Sequence, residues 1–296
     1  MTRSEGRSCR TRLSGVITGS LQFRLDVLSN VRTSVRMMNA MLDKTQRFAK
    51  VEAQFREVIN PVASLGFIGL ATDRAGLRDF QAFVEPYAGV AIHPTRIPFA
   101  PIATPETLKR MEAHLTRSAE LLVPGQTLHS ISFSCTSGSI AIGLENVCGL
   151  IRSVRPEAKV VTPIGAVMKG LSAVGAKRIS LLMPYLQETA RLVANHVEGG
   201  GVTLDAVATF ELEGDADINR VDPDCIFDEA VKLCHPESDA LFISCTGWLT
   251  HPVVDRLERA LGKPVITSNQ ALAWRALRDG GVTGQVSGRG ALFAQH

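Results

Sequence analysis

Two stretches decide how this chain is read: His129-Ser-Ile-Ser-Phe-Ser-Cys135-Thr136-Ser137-Gly138 and Ala240-Leu-Phe-Ile-Ser-Cys245-Thr246-Gly247-Trp248. Each is a short apolar run, then Ser-Cys-Thr, a small residue and a helical pattern. A cysteine where a buried strand passes into a helix sits among backbone N–H groups at the positive end of the helix dipole, and both favour the thiolate. Two such thiols, one from each half of a pseudo-symmetric chain, are expected to face each other across one small pocket.

The repeat extends beyond the cysteines. Lys159-Val-Val-Thr162 follows the first motif and Lys263-Pro-Val-Ile-Thr267 the second, each ahead of a helical pattern. The cysteines are 110 residues apart and the two threonines 105, so the halves differ by five residues between these landmarks. From Leu65 onward short apolar runs alternate with amphipathic periodicity. Strands are expected over 66–71, 90–97, 128–133, 159–162, 177–183, 202–210, 240–244 and 264–267. Helices are expected from Thr104-Pro105 to Leu122, after Ser137, over 164–174 and 186–196, from Asp222-Pro223 to Cys234, and over 249–261 and 270–278, with another between Arg74 and Val84. Strand–helix alternation of this kind implies α/β architecture: two similar, doubly wound parallel-sheet domains related by a pseudo-twofold axis, with the site in the cleft between them. The expected boundaries are residues 61–163 with 270–296 for the first domain and 164–269 for the second. Ligands in such folds bind beyond the carboxyl ends of the strands. Both Ser-Cys-Thr motifs fall at that edge, as does Thr72-Asp73.

Charge is unevenly distributed. Residues 1–50 hold ten Lys or Arg against three Asp or Glu, a net +7, leaving −4 for the other 246. The acidic body offers no nucleic-acid surface. The basic segment is expected to be a poorly ordered leader spanning residues 1–60. It reads as a transit-peptide-like stretch or a start assigned too far upstream, with Met37, Met38 and Met41 as later candidates. No run of eighteen apolar residues exists, so no membrane span is expected. Six cysteines lack any Cys-x-x-Cys pair, and Cys225, Cys234 and His235 do not have metal-ligand spacing, so no metal is expected. Without a secretory segment, a reducing, cytoplasmic setting is the default.

Ser-Cys135-Thr-Ser, Met183-Pro184-Tyr185, Asp217-Ile-Asn219-Arg-Val-Asp222-Pro223 and Ser-Cys245-Thr-Gly-Trp248 together resemble the aspartate/glutamate racemase superfamily, in the branch of maleate cis-trans isomerase and arylmalonate decarboxylase. Leu70-Ala-Thr72-Asp73-Arg74 and Arg96-Ile-Pro98 look more like the ectoine-utilisation group of that branch. The resemblance covers about residues 62–290. It implies cofactor-independent chemistry at a carbon next to a carboxylate, on a small carboxylate substrate, in a homo-oligomer such as a dimer. Cys135 and Cys245 would be the catalytic pair. Thr136, Ser137, Tyr185 and Thr246, with the N–H groups after each cysteine (Gly247 among them), would line a carboxylate or oxyanion pocket. Asn219 would hold the other end of the substrate. Two departures stand out. The maleate isomerases carry Asn near position 73, where this chain has Asp73. The decarboxylase carries Gly at the first cysteine, where this chain has Cys135.

Simpler readings accompany several of these residues. Cys148, Cys225 and Cys234 read as packing. Tyr185 can cap the sheet, Asn219 can cap the turn before Asp222-Pro223, and Asp73 can cap the next helix. Trp248 reads as packing, His251 as a surface residue, and Glu198-Gly199-Gly200-Gly201 as a loop. Three functions compete: a two-cysteine isomerase or racemase, which is favoured, a malonate-type decarboxylase with Cys245 as proton donor, and a non-catalytic small-acid binding protein.

Overall fold

A computed structural model of the chain describes residues 28–36, 50–55, 62–100 and 102–296. The chain divides into two compact units, Met1–Val58 and Ile59–His296. In the first, residues 28–36 are helical and 50–55 have no regular structure. The leader expected over 1–60, and Cys9 with it, falls mostly outside the described residues.

The second unit contains two four-stranded parallel sheets. In the first, β1 (Ala63–Leu70), β2 (Val90–Ile97), β3 (Ser130–Phe133) and β4 (Lys159–Val161) lie in the order β2-β1-β3-β4. In the second, β5 (Arg178–Tyr185), β6 (Thr203–Leu212), β7 (Ala240–Ile243) and β8 (Val265–Thr267) lie in the order β6-β5-β7-β8. The strand orders are identical when the second half is laid on the first. The two parallel-sheet α/β halves expected from the repeat are therefore present.

Burial follows position in the sheet. Every residue of β1, β3 and β7 is buried, as is β5 after its first residue. Central parallel strands are covered on both faces and so read as continuous apolar runs. The edge strands β2 and β6 are largely half-buried. Pro94 is tolerated in β2 because an edge strand has one side free of ladder bonds.

Helix α1 (Gly76–Val84) packs on β1 and β2, and α2 (Pro105–Lys109) leads into α3 (Glu112–Leu121). The first cysteine motif opens α4 (Thr136–Ile142), and α5 (Leu144–Arg152) follows it. The single helix expected after Ser137 is thus two, broken at Gly143, whose φ of 93° no helix accommodates. Helix α6 (Pro163–Ala173) leaves β4 of the first sheet but packs on β8 of the second. The chain continues through α7 (Gln187–Gly199), α8 (Asp215–Ile218), α9 (Pro223–Leu233) and α10 (Val254–Leu261). Helix α11 (Ser268–Asp279) then leaves β8 and packs on β1, β3 and β4 of the first sheet, and α12 (Ala291–Gln295) closes the chain. Helices α6 and α11 also pack against each other. Each half thus sends a helix onto the other.

A buried polar hub ties these crossings together. The carboxyl of Asp79, on α1 and fully buried, accepts five hydrogen bonds. They come from Thr250 N (3.0 Å) and Oγ1 (2.6 Å), His251 N (2.8 Å), a His251 Nδ1 contact at 2.7 Å, and Asn269 Nδ2 of α11 (3.0 Å). This hub explains two differences from the sequence reading. The helix expected from Leu249 begins only at Val254, because Thr250 and His251 are held to Asp79. His251 is not a free surface residue, since its side chain is 25% exposed and its ring faces that carboxyl.

Among the described residues no helix is long and apolar enough to cross a membrane. Replacing Asp79 with Ala leaves several buried donors without an acceptor. We expect Asp79→Ala to lose about 2–4 kcal/mol of unfolding free energy in urea titrations, and Asp79→Asn less, because its amide oxygen still accepts. A loss below about 1 kcal/mol for Asp79→Ala would show that the halves hold together without the hub.

Candidate active site

Beyond the ends of β1, β3, β5 and β7 lies a narrow pocket. Both motif cysteines line it. So do Asp73, Ser134, Thr136, Ser137, Tyr185, Thr246 and Gly247, an apolar group that includes Leu70, Phe99 and Ile218, and one residue the sequence reading missed, Asp215.

Cys135 is the N-cap of α4, with extended backbone (φ −151°), and its sulfur accepts from Gly138 N at 3.3 Å. A Cβ on Gly138 would lie 2.8 Å from that sulfur and 2.4 Å from Met111 Cε, so a side chain there would displace one or both. Cys245 follows β7 as Cys135 follows β3, but the helix expected directly after it is absent: a turn follows, α10 begins only at Val254, and the sulfur accepts from Gly247 N at 3.2 Å. The two motifs touch directly, because Thr246 Oγ1 donates to the carbonyl of Ser134 at 3.1 Å. Thr136 Oγ1 donates to Ser268 Oγ at 2.9 Å, and Asn269 Nδ2 holds the carbonyls of Thr246 (3.1 Å) and Trp248 (3.0 Å). Trp248 itself is buried and packs edge-to-face on Phe210 at 5.4 Å.

Asp73 both lines the pocket and caps α1. Its carboxyl accepts from the N–H groups of Ala75 (3.0 Å), Gly76 (2.6 Å) and Leu77 (3.2 Å). Gly76 lets this turn approach the second motif, since a Cβ there would lie 2.8 Å from the Thr246 carbonyl oxygen. Thr72 and Asn219 stand behind the wall. Thr72 Oγ1 donates to Asp215 Oδ2, Asn219 Nδ2 donates to the carbonyl of Asp215 at 2.5 Å, and Asn219 Oδ1 accepts from Arg74 N at 3.1 Å. These two residues fasten α8 to the turn after β1. Asp215 was missed because Glu213-Gly-Asp-Ala-Asp217 offers several acids in a loop-like stretch, and only the fold shows which one turns inward.

Neither sulfur has the electrostatics expected of a cysteine at a helix start: only Cys135 holds that position, and both are buried. Each side chain is about 6% exposed. Burial pushes the Cys135 thiol up to about 12, opposed by the Gly138 N–H and reinforced by the Asp215 charge. Burial pushes Cys245 up as well, aided by Asp215 and opposed by Gly247 N–H and the Tyr185 hydroxyl. The expected shift toward neutrality is therefore reversed: in the unliganded pocket desolvation outweighs the local N–H donors. Burial also holds Tyr185 well above its ordinary range, so it stays a hydroxyl donor. Asp215 is itself raised, by burial, with Thr72 opposing and Asp73 adding to the effect. Ser134 Oγ, 3% exposed on the wall, has no hydrogen-bond partner among the described residues.

The sequence profile of the arylmalonate decarboxylase family matches residues 106–293. The chain belongs to that family. A maleate isomerase from Nocardia farcinica is 31% identical over 140 residues, covering 47% of this chain and 56% of the relative. An arylmalonate decarboxylase from Bordetella bronchiseptica is 31% identical over 131 residues, covering 43% and 55%. These alignments span little more than half of either relative. The fold likeness runs further. The Nocardia farcinica maleate cis-trans isomerase, in a cysteine-to-serine variant with a covalently bound succinylcysteine intermediate, superposes with a TM-score of 0.73 at 23% identity, over 79% of this chain and 99% of that one.

The raised thiols have a measurable consequence. Below pH 9, the ordinary thiol value, folded and unfolded chains both keep these protons and the contribution to stability is complete. As pH rises from 9 toward 12 the unfolded chain ionises first, so folded stability falls. We expect the melting temperature of the Cys135→Ala/Cys245→Ala double variant to drop less across that window than that of the parent protein. Equal slopes would mean that burial does not control these thiols.

Proposed function

We propose that this protein is a cofactor-independent isomerase or racemase of a small carboxylate, with Cys135 and Cys245 working on opposite sides of the reacting carbon. The observation that carries this reading is the meeting of two thiols, from equivalent strand ends of the two sheets, on the wall of one pocket. Binding alone has no need for such a pair.

Two routes suit that arrangement. In racemisation one sulfur, as thiolate, takes the proton next to the carboxylate, and the opposite thiol delivers its own proton to the other face, so the two sulfurs exchange roles. In cis-trans isomerisation a thiolate adds to one alkene carbon and the other thiol protonates its neighbour. Rotation about the new single bond and the reverse elimination then release product. The succinylcysteine of the Nocardia farcinica relative is an adduct of this second type. In both routes charge develops on the substrate carboxyl, and the hydroxyls of Ser137 and Tyr185 supply donors on the pocket wall. Both thiols are protonated near pH 7 in the unliganded pocket, so ionisation of one is coupled to substrate binding. The chemistry requires reduced sulfurs, in keeping with the cytoplasmic setting read from the sequence. The ectoine-utilisation context rests on the resemblance of residues 70–74 and 96–98.

Decarboxylation of a malonate-type acid is the second reading, favoured by the family match. It needs one proton donor on one face, and Cys135 would then have no assigned part.

Deuterated water separates the readings. Candidate acids (maleate, aspartate and ectoine-derived acids) are incubated with the protein and followed by proton NMR. We expect isomerisation, or exchange into unreacted substrate, that falls at least about 100-fold in both Cys135→Ala and Cys245→Ala. Loss of carbon dioxide with deuterium only in the product, dependent on Cys245 alone, would establish the decarboxylase instead.

A further inference from the structure

The charged groups on the pocket wall are of one sign. Asp73 and Asp215 line it, and no Lys, Arg or His among the described residues does. Neither carboxyl pairs with a basic side chain within 4.0 Å among the described residues. The two basic residues next to this turn, Arg74 and Arg96, do not line the pocket. Arg96 Nη1 donates to the carbonyls of Leu70 (2.7 Å) and Asp73 (2.6 Å) and does not reach the wall. Arg74 contributes its backbone N–H to Asn219.

The two acids differ in what they have left to offer. Asp73 has both oxygens engaged by the first N–H groups of α1. Asp215 has Oδ2 engaged by the Thr72 hydroxyl, while Oδ1 has no partner among the described residues. Its position is fixed by Asn219, which grips its carbonyl, and by the short helix α8. On the same wall, the buried Ser134 hydroxyl is also unpartnered. The pocket therefore presents an oriented acceptor oxygen, the hydroxyls of Ser134, Ser137 and Tyr185 and two thiols, with no basic side chain to receive a second carboxylate.

We propose that Asp215 is the specificity-determining residue of this site, and that with Asp73 beside it the pocket selects a carboxylate that also carries a cationic nitrogen, such as an ammonium group, over a dicarboxylate. The inference deepens the reading of the site as one for a small carboxylate. Like charges on wall and ligand repel most where water is excluded. A dicarboxylate would bring two negative groups to a wall that already holds two. An ammonium group would complete Asp215 Oδ1 and offset the Asp215 charge, which adds to the effect of burial on both thiols. The same substrate would thereby ease ionisation of the sulfur that starts the reaction.

The test is a binding comparison with ligands of one length. β-Alanine, succinate and propionate share a propanoate skeleton and end in ammonium, carboxylate and hydrogen. Their affinities are measured by calorimetry on the intact chain, for the parent protein, Asp215→Asn and Asp73→Asn. We expect β-alanine to bind about tenfold or more tightly than succinate, and Asp215→Asn to remove most of that preference by weakening β-alanine and strengthening succinate. Asparagine retains an acceptor for Thr72, and an unchanged melting temperature confirms that the variant folds. Asp73→Asn is expected to move the preference the same way by a smaller factor. Succinate binding as tightly as β-alanine, binding of succinate alone, or a preference that Asp215→Asn leaves in place would each overturn the proposal. The isomerase reading fails separately. Ammonium selectivity without thiol-dependent exchange in deuterated water would leave this proposal standing and remove that one, whereas rapid turnover of a dicarboxylate with no such selectivity would do the opposite.

Discussion

The Asp79 carboxyl joins three parts of the chain that are far apart in sequence: α1 from the first half, the Thr250–His251 turn that follows the second cysteine motif, and Asn269 at the start of the helix that crosses back. Asn269 in turn grips the carbonyls of Thr246 and Trp248 on either side of Gly247. A fully buried carboxyl is tolerated only when its lone pairs are filled, and here every donor comes from an element that positions Cys245. The two sulfurs share a pocket because the halves exchange helices, and this hub fastens the exchanged helix to the motif it supports.

Much of this was legible in the amino-acid sequence because parallel strands covered on both faces leave a coarse signal. β7 is a continuous apolar run, β1 and β5 are largely apolar, and Thr104 and Asp222, read as helix starts, cap α2 and α9 through their side chains. The duplicated Ser-Cys-Thr motif placed both thiols at strand ends. Tertiary contacts supplied what the sequence did not signal. The turn at 249–253 has helical periodicity, yet Asp79 captures its N–H groups before a helix can start. Asp215 lies in an acid-rich loop with no periodic pattern to say which acid faces inward. Thr72 and Asn219 carry the residue types of ligand-binding groups, but their hydrogen bonds are made to the protein's own turns.

The thiols show how one local rule yields to a larger effect. Each sulfur receives one backbone N–H bond, Cys135 at a helix start and Cys245 in a turn, and that alone would favour ionisation. Removal from water costs the anion more, and the charge of Asp215 adds to that cost at both sulfurs. The nucleophilic form of either sulfur is therefore disfavoured in the unliganded pocket.

The pseudo-twofold symmetry stops at the pocket wall, and this gives the two sulfurs different surroundings. β1 and β5 occupy equivalent central positions in their sheets, but the turn after β1 supplies Asp73 whereas β5 ends on Tyr185. Cys245 has the Tyr185 hydroxyl beside it, and Cys135 has Ser137. A symmetric pair would treat both faces of a substrate alike. With a phenol beside one sulfur and a serine beside the other, each face meets a sulfur with different neighbours. A substrate with a carboxylate at one end and a cationic nitrogen at the other has one orientation that suits both walls. The repeated strand order brings two thiols to one pocket, and the differing loops around them give the pocket its direction.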